Sequence, residues 1–182
     1  MSATLAASKA KVASLLAKNL RYSETYKAPN FLSVGIQKNK ELGRKSTVVI
    51  SCSDPRVHPT QFLDLDFSEA AIIRNAGGRT SDVMRSLVDL DAVGSVETVI
   101  VIHHTDCGMS QMDEQGFQVR IQEKHLAIAA SQPEYIYGAV DDPEKTVVHD
   151  VEFLKSFPSI AENMHVVGLV LDTFTGRLKQ VV

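Results

Sequence analysis

The stretch Thr47-Val48-Val49-Ile50-Ser51-Cys52, followed at once by Ser53-Asp54-Pro55-Arg56, is the most informative part of the sequence. Its first six residues are mainly apolar or β-branched, a pattern typical of a strand that is buried on both faces. Strands of this kind form parallel sheets that helices cover on both sides. The polar residues that follow predict a functional site, because sites in such sheets form at the carboxyl ends of the strands.

The rest of the chain alternates between predicted strands and predicted helices. Apolar runs predict strands over 70–74, 98–103 and 165–171, and a last short strand over 178–182. Helices are predicted over 81–93, capped by Ser81, and from Asp142 to about residue 156, since Asp142 and Pro143 favour a helix start. The alternation predicts an α/β fold: a central, mostly parallel β-sheet flanked by helices, with a short antiparallel C-terminal strand. Because the chain contains no repeat or linker, we expect a single domain over 1–182.

The composition excludes several classes of protein. Hydrophobic residues make up 44% of the 182 residues and charged residues 23%, which excludes wholesale disorder. The net charge of -3 predicts no nucleic-acid partner, since such proteins carry a basic surface. The absence of an apolar run near the roughly 18 residues of a membrane span predicts no membrane partner. Two cysteines exclude a disulfide scaffold and are typical of a reducing compartment, which predicts a cytoplasmic protein.

Residues 1–23 are predicted to form an N-terminal helical arm. The segment contains no acidic residue, and Leu5, Val12, Leu16 and Leu20 recur at roughly helical spacing. A mitochondrial transit peptide is the alternative interpretation, because such peptides are also amphipathic and poor in acidic residues. Transit peptides favour arginine, however, and Arg21 is the one arginine in this segment, so the composition favours a packing helix.

A second group of polar residues, His104-Thr105-Asp106-Cys107-Gly108, follows the predicted strand 98–103. Together with the first group it supplies two thiols, an imidazole and a carboxylate, a donor set that suits zinc. Cys52, His104 and Cys107 are the three candidate ligands, and Asp54 is an ambiguous fourth. Three protein ligands with an open position predict a catalytic zinc site, whereas four predict a structural one. The alternative is that both cysteines are small buried hydrophobic residues.

Two adjacent histidines compete for the role of ligand. If strand geometry continues to His104, the side chains of His103 and His104 point to opposite faces of the sheet, and the two cannot both reach one metal ion.

The motifs, taken together, resemble the beta-class carbonic anhydrases, and in particular the short branch of that family. The resemblance rests on Cys52-x-Asp54-x-Arg56, on the glycine turn Arg74-Asn75-Ala76-Gly77-Gly78, and on His104-x-x-Cys107-Gly108. It implies that Cys52, His104 and Cys107 hold zinc, which selects His104 over His103. It also implies that Asp54 pairs with Arg56, that both act in catalysis, and that Gly77 and Gly78 shape the substrate pocket.

The resemblance implies reversible hydration of carbon dioxide to bicarbonate and a proton. Zinc acidifies bound water, so hydroxide is available near neutral pH and attacks carbon dioxide in an apolar pocket. The short branch also includes hydrolases of carbonyl sulfide and carbon disulfide, and this is the alternative activity. A non-catalytic structural zinc protein is a second alternative, although Arg56 speaks against it because a permanent ligand Asp54 would need no competing partner. The resemblance and the apolar stripe of the arm together predict a homodimer or a higher multiple.

Overall fold

A five-stranded sheet lies at the centre of the computed structural model, which describes residues 3–66 and 69–182. The strands, in chain order, are β1 (Ser46–Cys52), β2 (Ala70–Asn75), β3 (Val96–His104), β4 (His165–Leu171) and β5 (Leu178–Gln180). Their order across the sheet is β2-β1-β3-β4-β5. The first four strands are parallel, and β5 pairs with β4 in the antiparallel direction. The predicted α/β fold, including its antiparallel C-terminal strand, is confirmed.

Eight α-helices lie in the described part of the chain. They are α1 (Ala3–Ser23), α2 (Leu32–Glu41), α3 (Pro59–Phe62), α4 (Met84–Gly94), α5 (Glu114–Lys124), α6 (Leu126–Ser131), α7 (Pro143–Lys155) and α8 (Pro158–Asn163). None of these described helices is long and apolar enough to cross a membrane. Helix α1 agrees with the predicted arm, whose residues 1 and 2 lie outside the described residues. The chain divides into two compact units, 1–38 and 39–182, and the second contains the whole sheet.

Alternation along the strands divides the core between the two faces of the sheet. One face buries Val48 and Ile50 of β1 with Val99 and Val101 of β3, and packs against Leu87 of α4. Val147, Val151 and Leu154 of α7 belong to the same cluster. The other face buries a smaller cluster with Val49, Val57, Ile102 and Leu171. Because both faces are covered, the strands need apolar residues at successive positions, which explains their continuous hydrophobic pattern.

The helix starts show where local sequence decides the structure. The Asp142 carboxylate accepts hydrogen bonds from the backbone N–H groups of Glu144 and Lys145, and Pro143 occupies the first turn, as predicted. The predicted cap at Ser81 is wrong, because residues Ser81–Val83 form a separate 3-10 turn and α4 begins only at Met84. The backbone N–H and the hydroxyl of Thr80, just before that turn, donate hydrogen bonds to the carboxylate of Asp150, so a tertiary contact sets this boundary.

Candidate metal centre

The three candidate metal ligands meet at the carboxyl edge of the sheet. Cys52 ends β1, His104 ends β3, and Cys107 lies in the loop that follows β3. Because β1 and β3 are adjacent parallel strands, their ends lie side by side. All three residues are buried, and their ligand atoms lie within 4.8 Å of one another. The sheet topology therefore brings together donors that are more than fifty positions apart in the chain.

The spacing of these donors fits a tetrahedral zinc ion. The two sulfur atoms are 3.9 Å apart, and Zn–S bonds of about 2.3 Å at the tetrahedral angle would place them about 3.8 Å apart. Nδ1 of His104 lies 2.9 Å from the Thr105 carbonyl oxygen, which can only accept, so Nδ1 carries the hydrogen. Nε2 of His104 is buried and has no hydrogen-bond partner among the described residues. A buried imidazole nitrogen beside two sulfurs is a donor set suited to zinc.

The two thiols share one proton between them. Hydrogen bonding from Cys107, supported by the backbone N–H groups of Asp54 and Gly77, lowers the pKa of Cys52 to about 4 despite its burial. The same interaction, together with burial, raises the pKa of Cys107. Cys52 is therefore a thiolate at neutral pH, which is the form that binds metals.

Asp54 lies outside the cluster of three donors and pairs with Arg56. Its Oδ1 accepts hydrogen bonds from the backbone N–H and from Nε of Arg56, at 2.8 and 3.0 Å, and its Oδ2 accepts from Nη2 at 2.8 Å. This bidentate pairing lowers the pKa of Asp54 to about 2. Pro55 is compatible with the pair, because it occupies the second position of a turn closed by the hydrogen bond from Val57 N–H to the Asp54 carbonyl.

The glycine turn packs against the backbone at Cys52. Gly77 and Gly78 have φ angles of 78° and 73°, in the left-handed region that favours glycine. A Cβ on Gly78 would lie 3.0 Å from the backbone nitrogen of Cys52 and 3.1 Å from the carbonyl oxygen of Ile102. The turn therefore packs directly against the ends of β1 and β3. The assignment of Gly77 and Gly78 to substrate binding stays a prediction.

His103 belongs to a separate buried network on the opposite face. Its ring lies between Thr146 Oγ1, at 2.9 Å from Nδ1, and Asp150 Oδ2, at 3.0 Å from Nε2. Asp150 also lies 2.7 Å from Nε of Arg79 and accepts hydrogen bonds from Thr80. Burial alone would raise the pKa of Asp150, but His103, Arg79 and Thr80 together lower it. The predicted divergence of the two histidine side chains is confirmed.

A family model for carbonic anhydrase matches residues 47–178, which include β1 to β4 and all the residues of this centre. The chain belongs to the beta-carbonic anhydrase family. The resemblance inferred from the three motifs is thus confirmed.

Other members of this carbonic anhydrase family are similar over most of their length. Beta-carbonic anhydrase 1 of Mycobacterium tuberculosis is 29% identical over 167 residues, covering 91% of this chain and 94% of that protein. A solved carbonic anhydrase from Streptococcus mutans superposes with a TM-score of 0.68 at 29% identity, covering 86% of this chain and 100% of the other. The carbon disulfide hydrolase of Acidianus sp. is also 29% identical, covering 80% of this chain and 79% of that protein.

The sequence alone predicts neither the ion pair between Arg79 and Asp150 nor the partner of Asp106. The structure places its carboxylate on Arg56, 2.7 Å from Nη1. No local pattern could have found these pairs, because their members are far apart in the chain.

Proposed function

We propose that the protein catalyses the reversible hydration of carbon dioxide to bicarbonate and a proton at a zinc ion held by Cys52, His104 and Cys107. The observation that carries this proposal is the buried cluster of two sulfurs and one free imidazole nitrogen, with a carboxylate held beside it by an arginine. When bound, zinc lowers the pKa of a coordinated water, so that hydroxide is available near neutral pH.

Arg56 and Asp54 would leave one coordination position of the zinc open for water. Two thiolates already balance the two positive charges of zinc, so a third anion on the metal would reduce its acidity. Arg56 binds both carboxylate oxygens of Asp54 and keeps this anion from becoming a fourth ligand. Asp54 stays ionised at neutral pH and retains lone pairs that can accept a hydrogen bond from the attacking water. Asp54 would thus orient the nucleophile, and Arg56 would orient Asp54.

This arrangement favours a catalytic site over a structural one. A structural zinc site has four firm protein ligands, whereas a catalytic site has three and an open position. The described cluster contains three donors, and the fourth candidate, Asp54, makes three hydrogen bonds to Arg56 instead.

Hydrolysis of carbonyl sulfide or carbon disulfide at the same centre is the second candidate function. It is favoured by the 29% identity to the carbon disulfide hydrolase of Acidianus sp.. The mycobacterial beta-carbonic anhydrase, however, matches at the same identity over a larger share of both chains. We therefore place carbon dioxide first.

A paired assay distinguishes these substrates. Zinc-loaded protein is tested for carbon dioxide hydration by stopped-flow pH change, and for hydrogen sulfide release from carbonyl sulfide and from carbon disulfide. Cys107→Ser, which removes one sulfur donor, is the control for each substrate. We expect fast carbon dioxide hydration that the control lacks, with little hydrogen sulfide. Hydrogen sulfide release without carbon dioxide hydration would overturn the first proposal in favour of the second.

We further propose that the chain acts as a cytoplasmic, single-domain subunit of a homodimer or a higher multiple. Support for association comes from α1, on which Val12, Leu16 and Leu20 are each more than half exposed and form an apolar stripe. Light scattering at assay concentration tests this proposal. An active monomer would contradict it.

A further inference from the structure

Asp106 makes a second anchor for the arginine that holds Asp54. Its Oδ2 accepts a hydrogen bond from Nη1 of Arg56, and its backbone carbonyl accepts one from Nη2, both at 2.7 Å. Nε and Nη2 are at the same time bonded to Asp54. Four hydrogen bonds thus occupy two edges of the planar guanidinium group, which has five N–H donors. Arg56 is fixed from two sides.

The contact between Asp106 and Arg56 joins the loop that follows β1 to the loop that follows β3. Asp54 and Arg56 belong to one loop, the loop that follows Cys52, and they are only two residues apart. Their mutual pairing therefore fixes them to each other without fixing them relative to the loop after β3, which contains Cys107. The contacts from Asp106 provide that connection, since Asp106 immediately precedes Cys107.

Because Arg56 is half exposed, its contacts with Asp106 matter for the orientation of its guanidinium group. The side chain of Arg56 is 49% exposed, whereas that of Asp54 is 11% exposed. A half-exposed arginine bonded to a single carboxylate gains little rigidity, because solvent competes for its hydrogen bonds. Asp106, whose side chain is 47% exposed, adds two further hydrogen bonds, one of them from its backbone carbonyl. The backbone of Asp106 has a φ of 54°, a conformation that few residues other than glycine, asparagine and aspartate adopt readily.

We propose that Asp106 is a positioning residue: it fixes Arg56 relative to the metal donors, and Arg56 in turn fixes the orientation of Asp54. This inference rests on the proposed carbon dioxide hydration, in which Asp54 orients the attacking water. It assigns Asp106 no contact with substrate or metal.

Two substitutions that tolerate the left-handed backbone test the proposal. Asp106→Gly removes the side chain without backbone strain, whereas Asp106→Asn keeps an oxygen that can accept from Nη1. We expect Asp106→Gly to lower kcat/KM for carbon dioxide hydration about tenfold while zinc content stays at the wild-type level, as for other residues that support a metal site indirectly. Asp106→Asn should recover most of that loss. Asp89→Asn, which alters an exposed carboxylate paired with Arg85, is the matched control.

A double-mutant cycle and a spectroscopic measurement separate positioning from general support of the fold. In an Arg56→Ala background, Asp106→Gly should cause no further loss of kcat/KM, because Asp106 acts through Arg56. In metal-free wild type and Asp106→Gly, ¹⁵N NMR should show faster solvent exchange of the Arg56 Nη protons in the variant. Loss of zinc from Asp106→Gly, an additive cycle, or unchanged Nη exchange would each overturn the inference. The NMR result does not depend on activity, and absence of carbon dioxide hydration in the wild type would count against the proposed function alone.

Discussion

Replacing Asp150 with alanine should strongly destabilise the folded protein. Asp150 lies on α7 and is only 3% exposed. It lies 2.7 Å from Nε of Arg79 and 3.0 Å from Nε2 of His103, and it accepts hydrogen bonds from the backbone N–H and hydroxyl of Thr80. Alanine would remove the carboxylate from Arg79, His103 and the Thr80 N–H, in a region that water reaches poorly, whereas the Thr80 hydroxyl would keep the backbone carbonyl of residue 150.

The expected loss follows from the burial of each partner. Removing one member of a buried ion pair costs about 3–5 kcal/mol, and a buried donor left without an acceptor costs about 1–3 kcal/mol. These costs overlap, and the side chain of Arg79 is 18% exposed, so water would solvate part of its charge. We therefore expect the free energy of unfolding to fall by about 3 kcal/mol, near the lower end of the range for buried pairs. For a chain of this size that corresponds to a fall in Tm of roughly 6–12 °C.

Urea unfolding followed by circular dichroism measures this loss, with both proteins in the same metal state and at the same concentration. Asp89→Ala is the matched control, because its Arg85–Asp89 pair lies on an exposed helix surface, with side chains 84% and 65% exposed, respectively. Removing that pair should cost less than about 0.5 kcal/mol. Since the pKa of Asp150 is lowered in the folded state, its contribution is present at neutral pH and is lost as acid protonates the folded protein. A cost below about 1 kcal/mol for Asp150→Ala at neutral pH would refute the reasoning.

Three further predictions concern the centre itself. His104→Ala should abolish zinc retention, whereas His103→Ala, on the opposite face, should keep the metal; metal analysis showing the reverse would mean that the strand faces are assigned backwards. Arg56→Ala should keep zinc but lose most carbon dioxide hydration, because the freed Asp54 carboxylate would occupy the open position. Combining it with Asp54→Ala should restore some activity, and strictly additive rates would contradict this. Arg56 holds the pKa of Asp54 at about 2, so Asp54 should lose its charge only as the pH falls through that value. In metal-free Arg56→Ala, ¹³C NMR titration should find this pKa near its ordinary value of about 3.9, and an unchanged pKa would show that Arg56 is not the cause.

The strands were predictable because their evidence is local. The run 165–171 coincides with β4, and 47–52 differs from β1 by one residue. The central strand β3 is longer than predicted, because Val96 pairs with Ser46 of β1 across an irregularity at Glu97, and His104 pairs with Leu171 of β4. Helix α5 escaped prediction, since Gly116 and β-branched residues weaken its helical pattern. Its start nevertheless carries a local indication, the Asp113 side chain, which accepts from the Gly116 N–H.

The donor residues of the candidate centre could be predicted from the sequence, whereas the contact between Arg56 and Asp106 could not. Cys52 and His104 each follow an apolar run, so the rule that sites form at the ends of parallel strands brings them together. The contact between Arg56 and Asp106 crosses fifty positions, and which loops meet depends on the length and course of each. The sequence contains no periodicity that links two such residues, so a pair of this kind emerges only from the folded chain.

Zinc content and carbon dioxide hydration, measured on the same sample, test the central claim most directly. The metal is removed from the purified protein with a chelator, and zinc is then titrated back while the hydration rate is followed. The rate should rise in proportion to bound zinc and level off at about one zinc per chain, and Cys52→Ser should regain neither metal nor rate. Full activity in the metal-free protein, or saturation with zinc without any carbon dioxide hydration, would contradict the account.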